Sequence, residues 1–271
     1  MSSFYEFIIY LTIYSFIGWV CEVVYCSILS KRVVNRGFLA GPVCPVYGFG
    51  AILVIYLLEP AQSSIPVIFL AGLALTSILE YITGWLLEVF FSTKWWDYSN
   101  KRFNINGRVC LKNSVLFGLL CVVLVKVLHP AITHAVLLMP EIWIRVSAIA
   151  LIATFAIDML FTVNTLVNLN ERLKKLHEFT EDLKKHGELQ EWFNESELFK
   201  SFEKLRLLAE EGRNELNMKF REKFEALSQK RGSGHRLIKA FPNMKSIKYE
   251  EQLNHLKDML KQLREKAKGK Q

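Results

Sequence analysis

Four carboxylates fall inside otherwise apolar runs of this chain: Glu22, Glu80, Glu88 and Asp158. A charged side chain at the centre of a membrane helix costs roughly 2.5–3.5 kcal/mol on insertion scales, so each acid must face protein or water. Acids at that depth can bind a cation, exchange a proton or neutralise a cationic group. With a rise of about 1.5 Å per residue, Glu22 lies roughly 12 Å from Ser30, Asp158 roughly 18 Å from Asn170 and Glu80 roughly 19 Å from Thr93. The three share a middle-to-inner layer of one bilayer, with Glu88 nearer its cytoplasmic edge.

Their spacing points the same way. Gly72, Thr76, Glu80, Gly84 and Glu88 recur every four residues and line one helix face, where small residues let a neighbour approach and the carboxylates point into the seam. Thr154, Asp158, Thr162 and Thr165 form a second polar stripe, and Ser15, Gly18, Trp19, Glu22 and Cys26 a third. The bland alternative is that hydrogen bonds to Thr, Tyr or backbone groups merely lock the helices together.

Lys126, the cation set deepest in an apolar run, sits at another depth, level with Glu6 and Arg145. A structural ion pair of Glu6 with Lys126 or Arg145 is expected there. The inner acids meet a cation only if Arg36, Arg108 or Lys112 reaches in from the flanking loops.

The stretch GFLAGPVCPVYGFG, residues 37–50, breaks the backbone beside an apolar run. Irregular backbone at membrane depth is tolerated only where it is buried in protein or lines a cavity. Glycine permits unusual torsions and proline removes donors. Freed carbonyls around Gly41, Pro42, Pro45 and Tyr47 would then join Glu22 and Glu80 as ligands, as broken helices do in transporters. A proline-started helix after a glycine turn is the alternative.

The elements that must position these residues are helices. The 271 residues are 51% hydrophobic yet 22% charged, and the two classes segregate. Residues 1–169 carry 10 basic and 8 acidic residues and residues 170–271 carry 24 and 18, so the net charges are +2 and +6. This predicts an all-α chain with a transmembrane domain over 1–169 and a cytoplasmic helical or coiled-coil tail over 170–271. A span needs about 20 apolar residues, and adequate runs occur at roughly 4–29, 42–58, 65–91, 111–130 and 142–168.

Lys31, Arg32 and Arg36 separate the first two runs, and Lys94, Lys101, Arg102, Arg108 and Lys112 separate the third and fourth. The loops at Glu59 and at 129–141 contain no Lys or Arg. Basic loops stay inside, which predicts five spans with the N-terminus out and the C-terminus in. Met1 to Phe4 lack the basic region of a cleavable signal, so the first helix is expected to remain as an anchor.

Beyond Asn170 the spacing of Leu169, Leu173, Leu176, Thr180 and Leu183 extends the last helix, and Leu253, Leu256, Leu260 and Leu263 repeat the pattern, with breaks at Gly187, Gly212 and 231–234. The five cysteines show no C-x-x-C pair and are expected to be small buried hydrophobes. No cofactor motif and no nucleic-acid motif is present; a bound cation is what the acids themselves suggest. His129 and His134 are read as external loop residues.

In the loop at 92–112, Trp95, Trp96, Tyr98 and Phe103 interleave with Lys94, Lys101, Arg102 and Arg108. Aromatic and basic residues both suit a headgroup layer. Trp95 and Trp96, with Arg36, Arg108 and Lys112, are expected to contact lipid headgroups or phosphate, or the loop folds over the inner mouth as a lid.

Gly37-Phe38, Gly41-Pro42, Pro45 and Tyr47-Gly48-Phe49-Gly50, then Glu80-Tyr81 with Gly84 and Glu88, then Trp96-Asp97-Tyr98-Ser99 with Asn104, Gly107 and Arg108, together resemble the bacterial membrane proteins labelled putative ABC-transporter type IV, or CmpB-like. The resemblance covers roughly residues 1–150, and Lys239-Ala240-Phe241-Pro242 is similar to tails in that family. It implies a permease-like subunit of the cell membrane, without implying a substrate. No G-x-x-x-x-G-K-[ST] occurs, so an ATPase would be a separate chain.

The leading expectation is therefore a transporter subunit with a site for a cation, a proton or a cationic small molecule. An intramembrane enzyme acting on a lipid or isoprenoid phosphate is the alternative, although the carboxylate and histidine clusters of known sites are missing. A third reading is a scaffold or sensor that dimerises or recruits a partner through its tail. On that third reading, residues 170–271 alone self-associate in analytical ultracentrifugation or capture a single protein; a monomeric, inert fragment removes the role.

Overall fold

The computed structural model describes residues 3–31, 34–61, 64–185, 234–254 and 256–258. The chain is mainly helical, and four helices are long and apolar enough to cross a bilayer: Phe4–Ile28, Ile65–Phe91, Leu111–Leu137 and Glu141–Glu178. Contacts divide it into two units, one of Met1–Phe90 with Lys94–Val163, the other of Phe91–Thr93 with Asn164–Gln271.

In the first unit, α1 (Phe4–Ser30) starts where the Ser3 hydroxyl accepts the Glu6 N–H at 3.3 Å and stops where Lys31 turns left-handed at φ 51°. Residues 34–44 are not helical. Helix α2 (Pro45–Leu58) then begins on proline, whose missing N–H is harmless at a first helical position. Its 14 residues rise about 21 Å, short of the roughly 30 Å of hydrocarbon in a bilayer. Five runs were expected to span; four helices have the length, and α2 is a shorter apolar helix behind an irregular entry.

Helix α2 packs along α1 through glycines. A Cβ on Gly18 would lie 2.3 Å from the Tyr47 Cβ, and one on Gly48 would lie 2.3 Å from the Ser15 hydroxyl and 2.6 Å from the Leu11 carbonyl. Towards the start of α1, Ile8, Leu11 and Tyr14 meet Ile52, Ile55, Val136 and Ile144 in an apolar cluster.

Helix α3 (Ile65–Phe91) is followed by a hairpin of strands Asn104–Ile105 and Val109–Cys110, paired antiparallel, that leads into α4 (Leu111–Val123). The apolar run beginning at Leu111 extends past its expected end at residue 130. Pro130 lacks an N–H and its ring would clash with the preceding turn. A π-helical turn over Leu124–Leu128, with the His129 N–H reaching the Leu124 carbonyl, absorbs this, and the helix resumes as α5 (His129–Leu137). His129 and His134 are thus helical and not loop residues, because the proline is accommodated and does not end the helix. Only Leu138 to Pro140 separate α5 from α6 (Glu141–Lys185).

The second unit takes its share of α6 from Asn164 onward, where Leu166, Leu169, Leu173 and Leu176 are buried. The short helix Gly234–Ala240 and the residues after it supply Leu237, Ile238, Phe241, Met244, Leu253 and Leu256 to the buried set. Gly234 lies against Leu169, the rings of His177 and Tyr249 stand 5.5 Å apart, and Ile247 donates its N–H to the Ser92 carbonyl at 2.8 Å. Residues from 234 onward therefore pack beside the leucine stripe of α6. Gly187, Gly212, residues 231–233, Leu260 and Leu263 lie outside the described residues.

The α1–α2 seam yields a graded expectation. Gly48→Ala drives a methyl into a backbone carbonyl that cannot move aside, and should destabilise by about 1–3 kcal/mol. Gly50→Ala meets only the Leu79 side-chain tip, at 2.8 Å, and should cost less. Thermal unfolding in detergent checks the order, and equal melting temperatures would contradict the packing.

Candidate functional site

The non-helical entry to α2 is held by a carboxylate from the far end of the unit. Asp158 on α6 accepts the Ala40 N–H on Oδ1 and the Gly41 N–H on Oδ2, both at 2.8 Å, while Thr162 one turn on donates to Oδ1 at 3.3 Å. A Cβ on Gly41 would stand 3.0 Å from that carboxylate, which explains why glycine occupies the position. The Gly41 carbonyl accepts from Val43, and the Cys44 N–H goes to the Ser15 carbonyl of α1 at 3.0 Å. The broken stretch thus offers N–H donors to an acid, whereas the sequence suggested carbonyl ligands for a cation.

Glu22 on α1 lies at the centre of a second set. The Tyr47 hydroxyl donates to its Oε2 at 2.8 Å, the Cys26 thiol to its Oε1 at 3.8 Å, and the Arg36 Nε stands 3.3 Å from Oε1. Arg36 comes from the linker beside Asn35, whose side chain accepts the Trp19 indole N–H at 2.9 Å and the Gly37 N–H at 3.2 Å. Short polar bonds therefore shape the linker so that its cation turns inward.

Glu80 on α3 is close enough to Glu22 to feel its charge and receives the Tyr98 hydroxyl. Its Oε2 is buried and makes no hydrogen bond. Tyr98 is delivered by the loop after α3: its N–H bonds the Gly107 carbonyl at 2.8 Å, and Asp97 accepts the Ser99 N–H at 2.9 Å. Gly107 has φ +70°, and a Cβ there would strike the Ser99 hydroxyl at 2.5 Å. Burial first, then the charges of Glu80 and Glu22, push the Tyr98 hydroxyl well above the ordinary phenol range, so it stays protonated and keeps an O–H to donate.

Glu88, two face-repeats further along α3, is engaged separately. Arg108 donates from Nε and Nη2 to its two oxygens at 3.1 and 2.6 Å and from Nη1 to the Tyr81 hydroxyl at 3.0 Å, with its guanidinium 5.1 Å from the Tyr81 ring centre. The bonds to Glu88 raise the Arg108 pKa further, which keeps it charged. The Trp96 indole donates to the Arg108 carbonyl at 2.8 Å, and Gly84 leaves room for that ring. Trp95 is buried with its ring 5.1 Å from that of Phe38. Lys112 is exposed at the start of α4.

At the other end of the unit, Arg145 pairs with Glu141 one turn away at 2.5 Å, Lys126 lies on the π-helical turn, and the Tyr14 hydroxyl bonds the His129 Nδ1 at 2.7 Å. Glu6 sits in the first turn of α1.

The acids on the three polar stripes thus occupy different settings. Glu22 and Glu80 share one cluster, Asp158 caps backbone, and Glu88 holds a guanidinium. Among the described residues no three His, Cys, Asp or Glu side chains gather as metal ligands. Tyr98 and Tyr81, which donate to and stack on this set, were not singled out by spacing. The only available signal was that both stand next to residues already under suspicion, Glu80-Tyr81 and Trp96-Asp97-Tyr98.

No curated protein and no solved structure matches the chain. One family does, over residues 9–163, which takes in α1 through α5, the hairpin and Asp158. With that match over more than half its length and four helices able to cross a bilayer, the chain is a membrane protein that belongs to the family described as Putative ABC-transporter type IV.

Proposed function

We propose that the chain is a transport-related membrane subunit whose exchangeable group is Glu80, with Glu22, Arg36, Tyr47 and Tyr98 as its immediate surroundings. The carrying observation is the buried Glu80 oxygen that makes no hydrogen bond. A buried carboxylate left half-satisfied calls for a second positive partner, and a proton, a small monovalent cation or a cationic group each supplies one. Glu22, although paired with Arg36, is near enough for its charge to act on Glu80, which favours a positive partner there. Tyr98 supplies one fixed donor from the loop side, which leaves the other oxygen for the exchangeable partner.

The phosphate-binding alternative loses support from the same geometry. Arg36 and Arg108, which would have to grip a phosphate, are turned onto Glu22 and Glu88. Asp158 and Gly41 serve in the proposal as the clasp that holds the α2 entry open as irregular backbone. Any ATP hydrolysis would come from a separate subunit, because this chain has no phosphate-binding loop motif.

Two variants separate the exchangeable acid from a structural one. The full chain, reconstituted in liposomes with an entrapped pH dye, should collapse an imposed proton or potassium gradient. Glu80→Gln should slow that collapse at least about tenfold, a loss of roughly 1.4 kcal/mol of stabilisation, with an unchanged melting temperature. Glu88→Gln, which breaks the two-pronged Arg108 contact, should instead lower the melting temperature by a few degrees and leave the rate within about twofold. Identical rates for wild type and Glu80→Gln would remove Glu80 from the site.

A further inference from the structure

The hairpin between α3 and α4 exposes apolar and basic side chains together. Phe103 is 77% exposed and Ile105 61%, and Lys101, Arg102 and Lys112 beside them are exposed as well. These three cations enter none of the ion pairs among the described residues, where the arginines at 36, 108 and 145 each hold a glutamate. The open end of the hairpin, where Phe103 faces the first residue of α4, is also built to hold this display. Phe103 adopts φ 53°, a region that bulky residues seldom enter. Asn104 holds the turn from both ends of its side chain, donating to the Lys101 carbonyl at 2.8 Å and accepting the Gly107 N–H at 3.1 Å. The Leu111 N–H ties the Phe103 carbonyl at 3.2 Å. Backbone kept in a sparsely populated conformation to present an apolar ring outward is a sign of use.

The fold says where that ring is. The hairpin joins the end of one membrane-length helix, Ile65–Phe91, to the start of another, Leu111–Leu137, so its open end, where Leu111 bonds Phe103, lies at the level of the bilayer surface. A cationic rim around two large apolar side chains at that level is complementary to anionic lipid: phosphate outside, acyl carbon just beneath.

We infer that Phe103 and Ile105 insert into the headgroup–acyl boundary while Lys101, Arg102 and Lys112 bind anionic lipid headgroups, making the hairpin a lipid-reading surface of this chain. The inference is independent of the role given to Glu80. It moves headgroup contact from Trp95, Trp96, Arg36 and Arg108, which are engaged within the protein, to the exposed residues at the open end of the hairpin.

The test uses the full chain in nanodiscs of phosphatidylcholine alone or mixed with phosphatidylglycerol. Phe103→Trp, and Ile105→Trp as a second probe, should add tryptophan emission that is blue-shifted and quenched by lipids brominated near the headgroup end of their chains. In lipid-competition native mass spectrometry, wild type should retain phosphatidylglycerol over phosphatidylcholine. Lys101→Gln with Arg102→Gln should reduce that preference by about fivefold for each charge removed, and added salt should reduce it for wild type. Water-like emission from both probes would overturn the inference. So would blue-shifted emission that bromolipids fail to quench, since these side chains would then lie against protein, or an unchanged lipid preference in the double variant.

Discussion

Inside a hydrocarbon slab every backbone N–H and C=O must find its partner within the protein, and an interrupted helix concentrates that requirement in a few residues. Between α1 and α2 the requirement is met by side chains and carbonyls brought from elsewhere in the sequence. Asp158 takes two consecutive N–H groups, and the Ser15 carbonyl takes a third. Much else depends on this clasp. It sets where α2 begins, which brings Tyr47 against Gly18 and its hydroxyl onto Glu22. It also positions the linker from which Arg36 turns inward. An acid that would be costly in lipid becomes useful as the acceptor that irregular backbone lacks.

The remaining intramembrane acids divide by the kind of partner they have. A two-pronged guanidinium contact with tyrosine on its other side, as at Glu88, is a fixed arrangement in which charge and geometry are both satisfied. Glu22 is likewise matched, by Arg36 and Tyr47. Glu80 differs because its known donor is a neutral hydroxyl and its second oxygen is buried without a bond. This incomplete satisfaction within an otherwise paired network is what the proposal for Glu80 rests on. The family to which the chain belongs is consistent with a role in transport.

How much of this was legible beforehand depends on the range of the interaction. The four-residue repeat of Gly72, Thr76, Glu80, Gly84 and Glu88 is a local property of one helix, so the face it forms could be read from spacing. The membrane-length helices followed from apolar run length, and the glycine-proline stretch identified the irregular entry to α2. Pro130 misled, because whether a proline ends a helix or is absorbed by a π turn depends on how the surrounding turns can shift, and spacing carries no record of that. The leucine stripe on α6 predicted a packed helical or coiled-coil tail without naming what packs on it; Leu169, Leu173 and Leu176 are buried, with Gly234 against Leu169 and Tyr249 beside His177. A stripe shows that something covers it and is silent about what.

The sequence by itself determined that the chain is a helical membrane protein, that four acids sit where lipid would reject them, and that the backbone breaks near residue 41. Run length, residue type and helical period suffice for that, since each acts over neighbouring turns. Only the tertiary structure decided which acid meets which donor: Asp158 with Ala40 and Gly41, Glu22 with Arg36, Glu88 with Arg108, Glu80 with Tyr98. Depth along a helix is a one-dimensional quantity that places acids in a common layer, whereas partnership depends on helix rotation and loop path. Those are set by close contacts such as Gly48 on Ser15 and Gly84 under Trp96, which have no signature in linear spacing.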